Sequence, residues 1–249
     1  MIQLTWLDSN SWSIELGNKH ILLDPWLVGS LTFGNLPWLF EGTKTVDRPI
    51  PKNIDLILLS QGLPDHAHPP TLAALDRSIP VVASPSAAKI VKDLGYLHVT
   101  ALAPGESHTF GDINIKAVPG SPVGPGAIEN GYIIRDNSMS LYYEPHGYHH
   151  PSLAQEGKID AIITALIDLK LPLVGAIIKG QTSALEVCEL LKPKYIIPTA
   201  AGGDVKFEGI LLSILQAEGS VAEFQTLLKS KSLNTESIDP KPWQAFTLA

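Results

Sequence analysis

The 249-residue sequence predicts an α/β (α+β) protein layered as an αββα sandwich. Three observations predict it. The first half reads mostly as short β-type runs, strands alternate with helices after it, and the end is richer in helix. Helices cannot bury their apolar stripes alone, so they must pack on sheet faces. No Gly-rich phosphate loop follows the first strand, which argues against a doubly wound sheet. No repeat, low-complexity tract or linker interrupts the chain, so a single domain over residues 1–249 is expected.

The elements follow from local pattern. Ile2–Leu7, Ser11–Leu16 and His20–Asp24 are strand-like, with Gly17-Asn18 as a hairpin turn. Asp24-Pro25 stops the third run. Residues 26–51 hold many turn-formers and read as a loop, yet they carry Trp26, Leu31, Phe33, Trp38, Leu39 and Phe40. Asp55–Leu59 is a buried strand. A short helix is expected near Thr71–Arg77, then a strand at Val81–Ala83. Ser84-Pro85 opens a helix that Gly95 ends. Further strands are expected near 97–102, 112–118, 132–135, 140–143, 159–164 and 194–198. Ser183 with Glu186, and Ser220 with Glu223, read as capping boxes. Phe207, Ile210, Leu211, Ile214 and Leu215 fall at helical spacing, and Gln244–Leu248 reads as a last edge strand.

Composition excludes several roles. Apolar content is 45% and charged content 17%, enough for a sizeable core and against disorder. The formal charge of −7 comes without any basic cluster, which argues against nucleic acid as a partner. Cys188 is the single cysteine, so no internal disulfide forms and a reducing compartment fits. The N-terminus has no signal-peptide pattern, and no apolar run reaches membrane-spanning length. The expectation is a cytoplasmic protein with a small-molecule substrate and no stable membrane insertion. Homo-oligomerisation stays open.

The chemistry concentrates after Leu59, in Ser60-Gln61-Gly62-Leu63-Pro64-Asp65-His66-Ala67-His68. A carboxylate and two imidazoles just past a strand end suit a metal or acid/base chemistry. A second histidine-rich segment is Glu144-Pro-His146-Gly-Tyr-His149-His150. Five of the eight histidines lie in these two segments. The plain alternative is that Asp65 caps the next turn, His66 bonds it, and 146–150 is a solvated loop.

These residues, with the Leu-Asp24-Pro25-Trp26 and Tyr-Tyr-Glu144-Pro145-His146 strand ends and Pro193 to Pro198, resemble the metallo-β-lactamase fold superfamily. The branch most resembled holds the ascorbate-6-phosphate lactonase-like hydrolases and their plant and cyanobacterial relatives. The resemblance implies the αββα sandwich and a two-metal motif, His-x-His-x-Asp-His. Here that motif is degenerate. Its histidine positions fall on Gln61 and Leu63, neither of them a zinc ligand of quality, while Asp65 and His66 match. No histidine lies at 117–121 or 198–200 to complete the set, and the bridging aspartate position falls near His146.

What the resemblance implies is therefore a divergent hydrolase of a small ester, lactone or phosphorylated metabolite. It would use at most one divalent metal (Zn, Mn or Fe), held by Asp65, His66 and His146, with Asp65 and His66 catalytic. Asp24, His68 and Glu144 would support those ligands from behind. The alternative is a non-catalytic binding protein that kept the fold and lost the metal. Lys179 and Gln181, ahead of a helix, suit an anionic group or a plain helix end. The aromatic loop reads as a lid over an apolar substrate, a dimer contact or a lid buried on the core.

Overall fold

A computed structural model describes residues 1–123, 127–200 and 202–249. The chain forms two compact units: Met1–Ala103 with Gly202–Ser213 and Lys241–Ala249, and Pro104–Ala201 with Ile214–Pro240.

The first unit is built on a seven-stranded sheet in the order Ala245–Leu248, Ile2–Trp6, Trp12–Leu16, Lys19–Leu23, Leu56–Leu59, Val81–Ala83 and Val99–Ala101. Neighbours are antiparallel up to Lys19–Leu23 and parallel beyond it. Parallel neighbours need crossovers, and helices α1 (Pro69–Ala74) and α2 (Pro85–Asp93) supply two of them. The uninterrupted Leu-Ile-Leu-Leu run of Leu56–Leu59 is buried throughout, as a strand covered on both faces must be. Ser84 Oγ accepts from Ala87 N at 3.3 Å, and Pro85 sits in the first turn of α2. Ala87, Ala88 and Val91 of α2 join Ile57, Leu59 and Val81 in the core.

Residues 26–51 are not a structureless loop. Leu31–Thr32 and Glu41–Lys44 are strands that join Val205–Glu208 in a three-stranded sheet. The aromatic residues divide accordingly: Trp26 is fully buried, Phe33 packs on Phe40 and Phe40 on Phe207, and Trp38 is 61% exposed. The helix expected over Phe207–Leu215 does not form. In its place stand the strand Val205–Glu208, a single 3-10 turn Ile210–Ser213 and the strand Gln216–Glu218. Gly209 decides this: its φ is +119°, and a Cβ there would lie 2.4 Å from Leu39 O. Helix cannot run through such a residue.

The second unit has its own seven-stranded sheet, ordered Glu236–Ser237, Tyr195–Thr199, Ala161–Ala165, Ser140–Glu144, Ile128–Arg135, Ile113–Pro122 and Ser107–Phe110. Its first four strands run parallel and the rest antiparallel. Helices α3 (Gln181–Leu191) and α4 (Val221–Ser230) bury Ala184, Val187, Cys188, Phe224 and Leu228 against Ile162 and Ile196. Ser220 caps α4, its Oγ accepting from Glu223 N at 3.2 Å. Ser183 does not cap α3. The helix starts earlier, behind Gly180, and Ser183 Oγ donates to Gly147 O. A Cβ at position 180 would sit 2.4 Å from the Ile167 backbone, so only glycine lets the chain enter the helix there. Asp168–Leu171, Gly175–Ile178 and Gln216–Glu218 form a further three-stranded sheet. Among the described residues no helix is long and apolar enough to cross a membrane.

Candidate metal centre

Two adjacent parallel strands of the first unit, Lys19–Leu23 and Leu56–Leu59, end side by side. Loops at the carboxyl ends of parallel strands are where such sheets place their chemistry. Asp24 follows the first strand in a left-handed conformation, φ +44°, its N–H donating to Leu58 O at 3.0 Å. Its carboxylate is buried and collects three donors. Ser60 N reaches Oδ1 at 2.7 Å, Ser60 Oγ reaches Oδ2 at 2.5 Å, and His66 Nδ1 reaches Oδ2 at 2.7 Å. The loop after the second strand is thereby tied to the end of the first.

The turn within that loop is closed by His66 N and Ala67 N, which both donate to Leu63 O. It turns the ring of His66 so that Nδ1 meets Asp24 while Nε2 lies 3.1 Å from Asp65 Oδ2. His66 is fully enclosed, and burial disfavours its charged form. The carboxylates of Asp65 and Asp24, and the hydrogen bonds to both, outweigh that and raise its pKa to about 10. At neutral pH the ring is an imidazolium between two carboxylates.

A residue not singled out from the sequence completes the group. Asn10 is 2% exposed, with Nδ2 3.2 Å from Asp65 Oδ2 and 3.3 Å from His66 Nε2. It lies on the turn Asp8-Ser9-Asn10-Ser11, four consecutive buried polar residues. Ser9 N donates to Gly202 O and Ser11 Oγ to Asp24 O, which fix the turn against two distant segments. Asp8 and Ser9 both have positive φ without being glycine, a conformation that persists only where the surroundings hold it. Asp8 is the anchor: Oδ1 accepts from Asp204 N at 2.8 Å, and Oδ2 from Lys44 Nζ at 3.1 Å and Trp243 Nε1 at 3.2 Å.

The donor set fits one divalent cation. Asp65 offers a carboxylate oxygen, and His66 offers Nε2 with its other nitrogen already held by a carboxylate, the usual support for a ligating imidazole. A cation would displace the Nε2 proton. Gln61 and Leu63 occupy the positions where the resemblance places histidines.

His68 takes another part from the one expected. Its Nδ1 accepts from Thr71 N at 3.4 Å as the N-cap of α1, and Nε2 lies 3.1 Å from Ser30 O. It orders the α1 turn and orients neither Asp65 nor His66. Burial lowers its pKa, in keeping with a neutral ring that donates from Nε2.

In the second unit, Glu144 is buried at the end of Ser140–Glu144 and accepts from Tyr148 N at 2.7 Å, closing the turn that carries His146. His146 is half-buried, its Nδ1 3.1 Å from Ser121 Oγ. His149 faces Tyr142 Oη at 3.1 Å, and His150 caps the Pro151–Gln155 turn. Lys179 lies over the Tyr148 ring, 4.1 Å from its centre, beside a cavity of about 270 Å³ lined also by His149, His150 and Ser183. Gln181 Nε2 donates to Leu166 O and Ser220 O, which makes it a brace within the unit.

Comparison with known proteins supplies a frame for this geometry. The family model of the beta-lactamase superfamily domain matches residues 3–200. A UPF0173 metal-dependent hydrolase of Pyrococcus furiosus is 28% identical over 205 residues, 80% of this chain and 84% of its own. Among solved structures, the isothiocyanate hydrolase from Delia radicum gut bacteria superposes with a TM-score of 0.74 at 15% identity, over 99% of each chain. A possible metal-dependent hydrolase from Veillonella parvula does so with a TM-score of 0.75 at 16% identity, again over 99% of each. At these identities the structural likeness concerns the fold alone, and it is the mixed α/β class that the sequence predicts.

Proposed function

The chain belongs to the beta-lactamase superfamily, and from that premise we propose that it is a metal-dependent hydrolase holding one divalent cation. Asp65 and His66 are its ligands in the first unit. His146, which occupies the superfamily's bridging position by resemblance, is the third. The observation that carries the reading is the 2.7 Å bond from His66 Nδ1 to Asp24, which leaves Nε2 beside Asp65. Relatives named metal-dependent hydrolases support it. The mixed oxygen and imidazole donors suit Zn, Mn or Fe. The substrate range, a small ester, lactone or phosphorylated metabolite, is what the resemblance to the ascorbate-6-phosphate lactonase-like branch implies.

A bound cation would supply a water ionised near neutral pH and would polarise the scissile carbonyl or phosphoryl group. The side chains of the chain prepare for it. Asp24 holds the Nδ1 proton and so fixes the tautomer that presents Nε2. Ser60 holds Asp24. Asp65 balances positive charge at a place where His66 is closed to solvent. Asp65 and His66 are the residues whose loss removes catalysis.

The test is metal analysis of protein produced without a histidine tag and supplied with Zn, Mn or Fe, beside hydrolysis of an ester, lactone and phosphoester panel. One metal per chain is expected, and Asp65→Ala and His66→Ala lose metal and turnover while melting normally. A wild-type chain that takes up no metal sinks the proposal and leaves a binding protein on the same fold, the reading that Gln61 and Leu63 favour.

A further inference from the structure

We propose that Asn10 is a ligand of the same cation, through its side-chain oxygen. The inference rests on the reading that Asp65 and His66 hold a metal.

Three atoms form a nearly equilateral triangle inside the first unit. The Asn10 amide nitrogen is 3.2 Å from Asp65 Oδ2 and 3.3 Å from His66 Nε2, and those two atoms are 3.1 Å apart. Ligands bonded at roughly 2.0–2.2 Å to one small divalent cation lie about 2.8–3.6 Å from each other, across octahedral or tetrahedral angles. All three edges fall in that range. The Asn10 amide therefore occupies the corner next to both proposed ligand atoms. A half-turn of the amide exchanges its nitrogen for its oxygen at almost no change of shape. Oδ1 then presents lone pairs from the same corner.

The rest of the structure keeps that corner in place. Asn10 is 2% exposed, and the turn that carries it is bonded to Gly202 and Asp24 on either side. The charges also balance: Asp24 and Asp65 offset a divalent cation, so a further neutral donor leaves no excess charge in the site. The chain lacks histidines at positions 61 and 63. A neutral oxygen from the first turn of the sheet gives it a donor that the familiar motif does not contain.

The experiment measures Zn²⁺ and Mn²⁺ dissociation constants for the full chain by competition with a chromophoric chelator, with melting temperatures as a check on folding. Wild type, Asn10→Ala, Asn10→Asp and Asp65→Ala are compared. Asn10→Ala is expected to bind about tenfold more weakly or worse, a loss typical of damage at a metal site. Asn10→Asp, which keeps an oxygen at the corner and removes the N–H donor, is expected to bind within about threefold of wild type or more tightly. Asn10→Ala binding as well as wild type overturns the inference. So does Asn10→Asp binding as weakly as Asn10→Ala, because the amide N–H to Asp65 is then what matters. In both of those outcomes wild type binds and Asp65→Ala does not, so the metal reading survives. A wild type that binds neither ion, or an Asp65→Ala that binds equally, removes the underlying reading and this inference with it.

Discussion

His66 Nδ1 lies 2.7 Å from Asp24 Oδ2, and neither side chain is exposed to solvent. The pair joins two strand ends and sets the direction of the other ring nitrogen. Asp24→Asn keeps the shape and tolerates the left-handed backbone at φ +44°, but it removes the charge opposite the imidazolium. Breaking one side of a buried pair costs about 3–5 kcal/mol, and loss of a carboxylate behind a metal-binding histidine weakens the metal about 10–100-fold. Urea unfolding and zinc titration of this variant read the two effects separately. Wild-type values in both would show that Asp24 does not orient the ring.

Lys44 and Asp8 form a second buried ion pair at 3.1 Å, with side-chain exposures of 11% and 2%. Lys44→Met leaves Asp8 its bonds from Asp204 N and Trp243 Nε1 but no counter-charge. A loss of roughly 3 kcal/mol is expected. Adding Asp8→Asn should recover part of it, so the double variant is more stable than the two single losses predict. Strict additivity in equilibrium unfolding would refute the coupling.

Gly42 lies against Trp26 and Phe207. A Cβ there would be 2.8 Å from Trp26 Cη2 and 3.0 Å from a Phe207 ring carbon. Gly42→Ala is expected to cost about 1–3 kcal/mol through overpacking and to change the near-ultraviolet circular dichroism of the tryptophans. An unchanged spectrum and stability would mean that Trp26 moves aside freely.

His149 is expected to make the second unit sensitive to acid. Burial lowers its pKa from 6.5 to about 3. The unfolded chain therefore takes up a proton below its ordinary pKa that the folded chain refuses. The His149 contribution is nil above about pH 6.5 and lowers stability as pH drops from there towards 3, by about 1.4 kcal/mol per pH unit at most. His149→Gln should flatten that part of the profile relative to wild type, measured by urea unfolding from roughly pH 4 to 7. Parallel profiles for the two proteins would contradict it.

The elements legible in the sequence were those with strong local signals. Leu56–Leu59 announced itself by an unbroken apolar run, α2 by Ser84 before it, Pro85 in its first turn and Gly95 after it, and α4 by Ser220 and Glu223. Misreadings arose where long-range packing outweighed a local pattern. The stripe from Phe207 to Leu215 has helical spacing, but Phe207 pairs in a sheet opposite Gly42, and Gly209 fits under Leu39 only in a conformation that stops a helix. Ser183 has a glutamate three residues on, as a cap should, yet Gly180 begins α3 first.

At the site, the sequence by itself determined which groups are available: Asp65 and His66 after a buried strand, Asp24 at the end of another, and Gln61 and Leu63 between them. The tertiary structure alone decided who meets whom. It gave His68 to the α1 turn and brought Asn10, 55 residues from Asp65 in sequence, to 3.2 Å from it. The physical reason is that a polar turn such as Asp8-Ser9-Asn10-Ser11 reads locally as solvent-exposed. Its burial depends on bonds to Asp24, Lys44, Gly202, Asp204 and Trp243, partners that no local periodicity can encode.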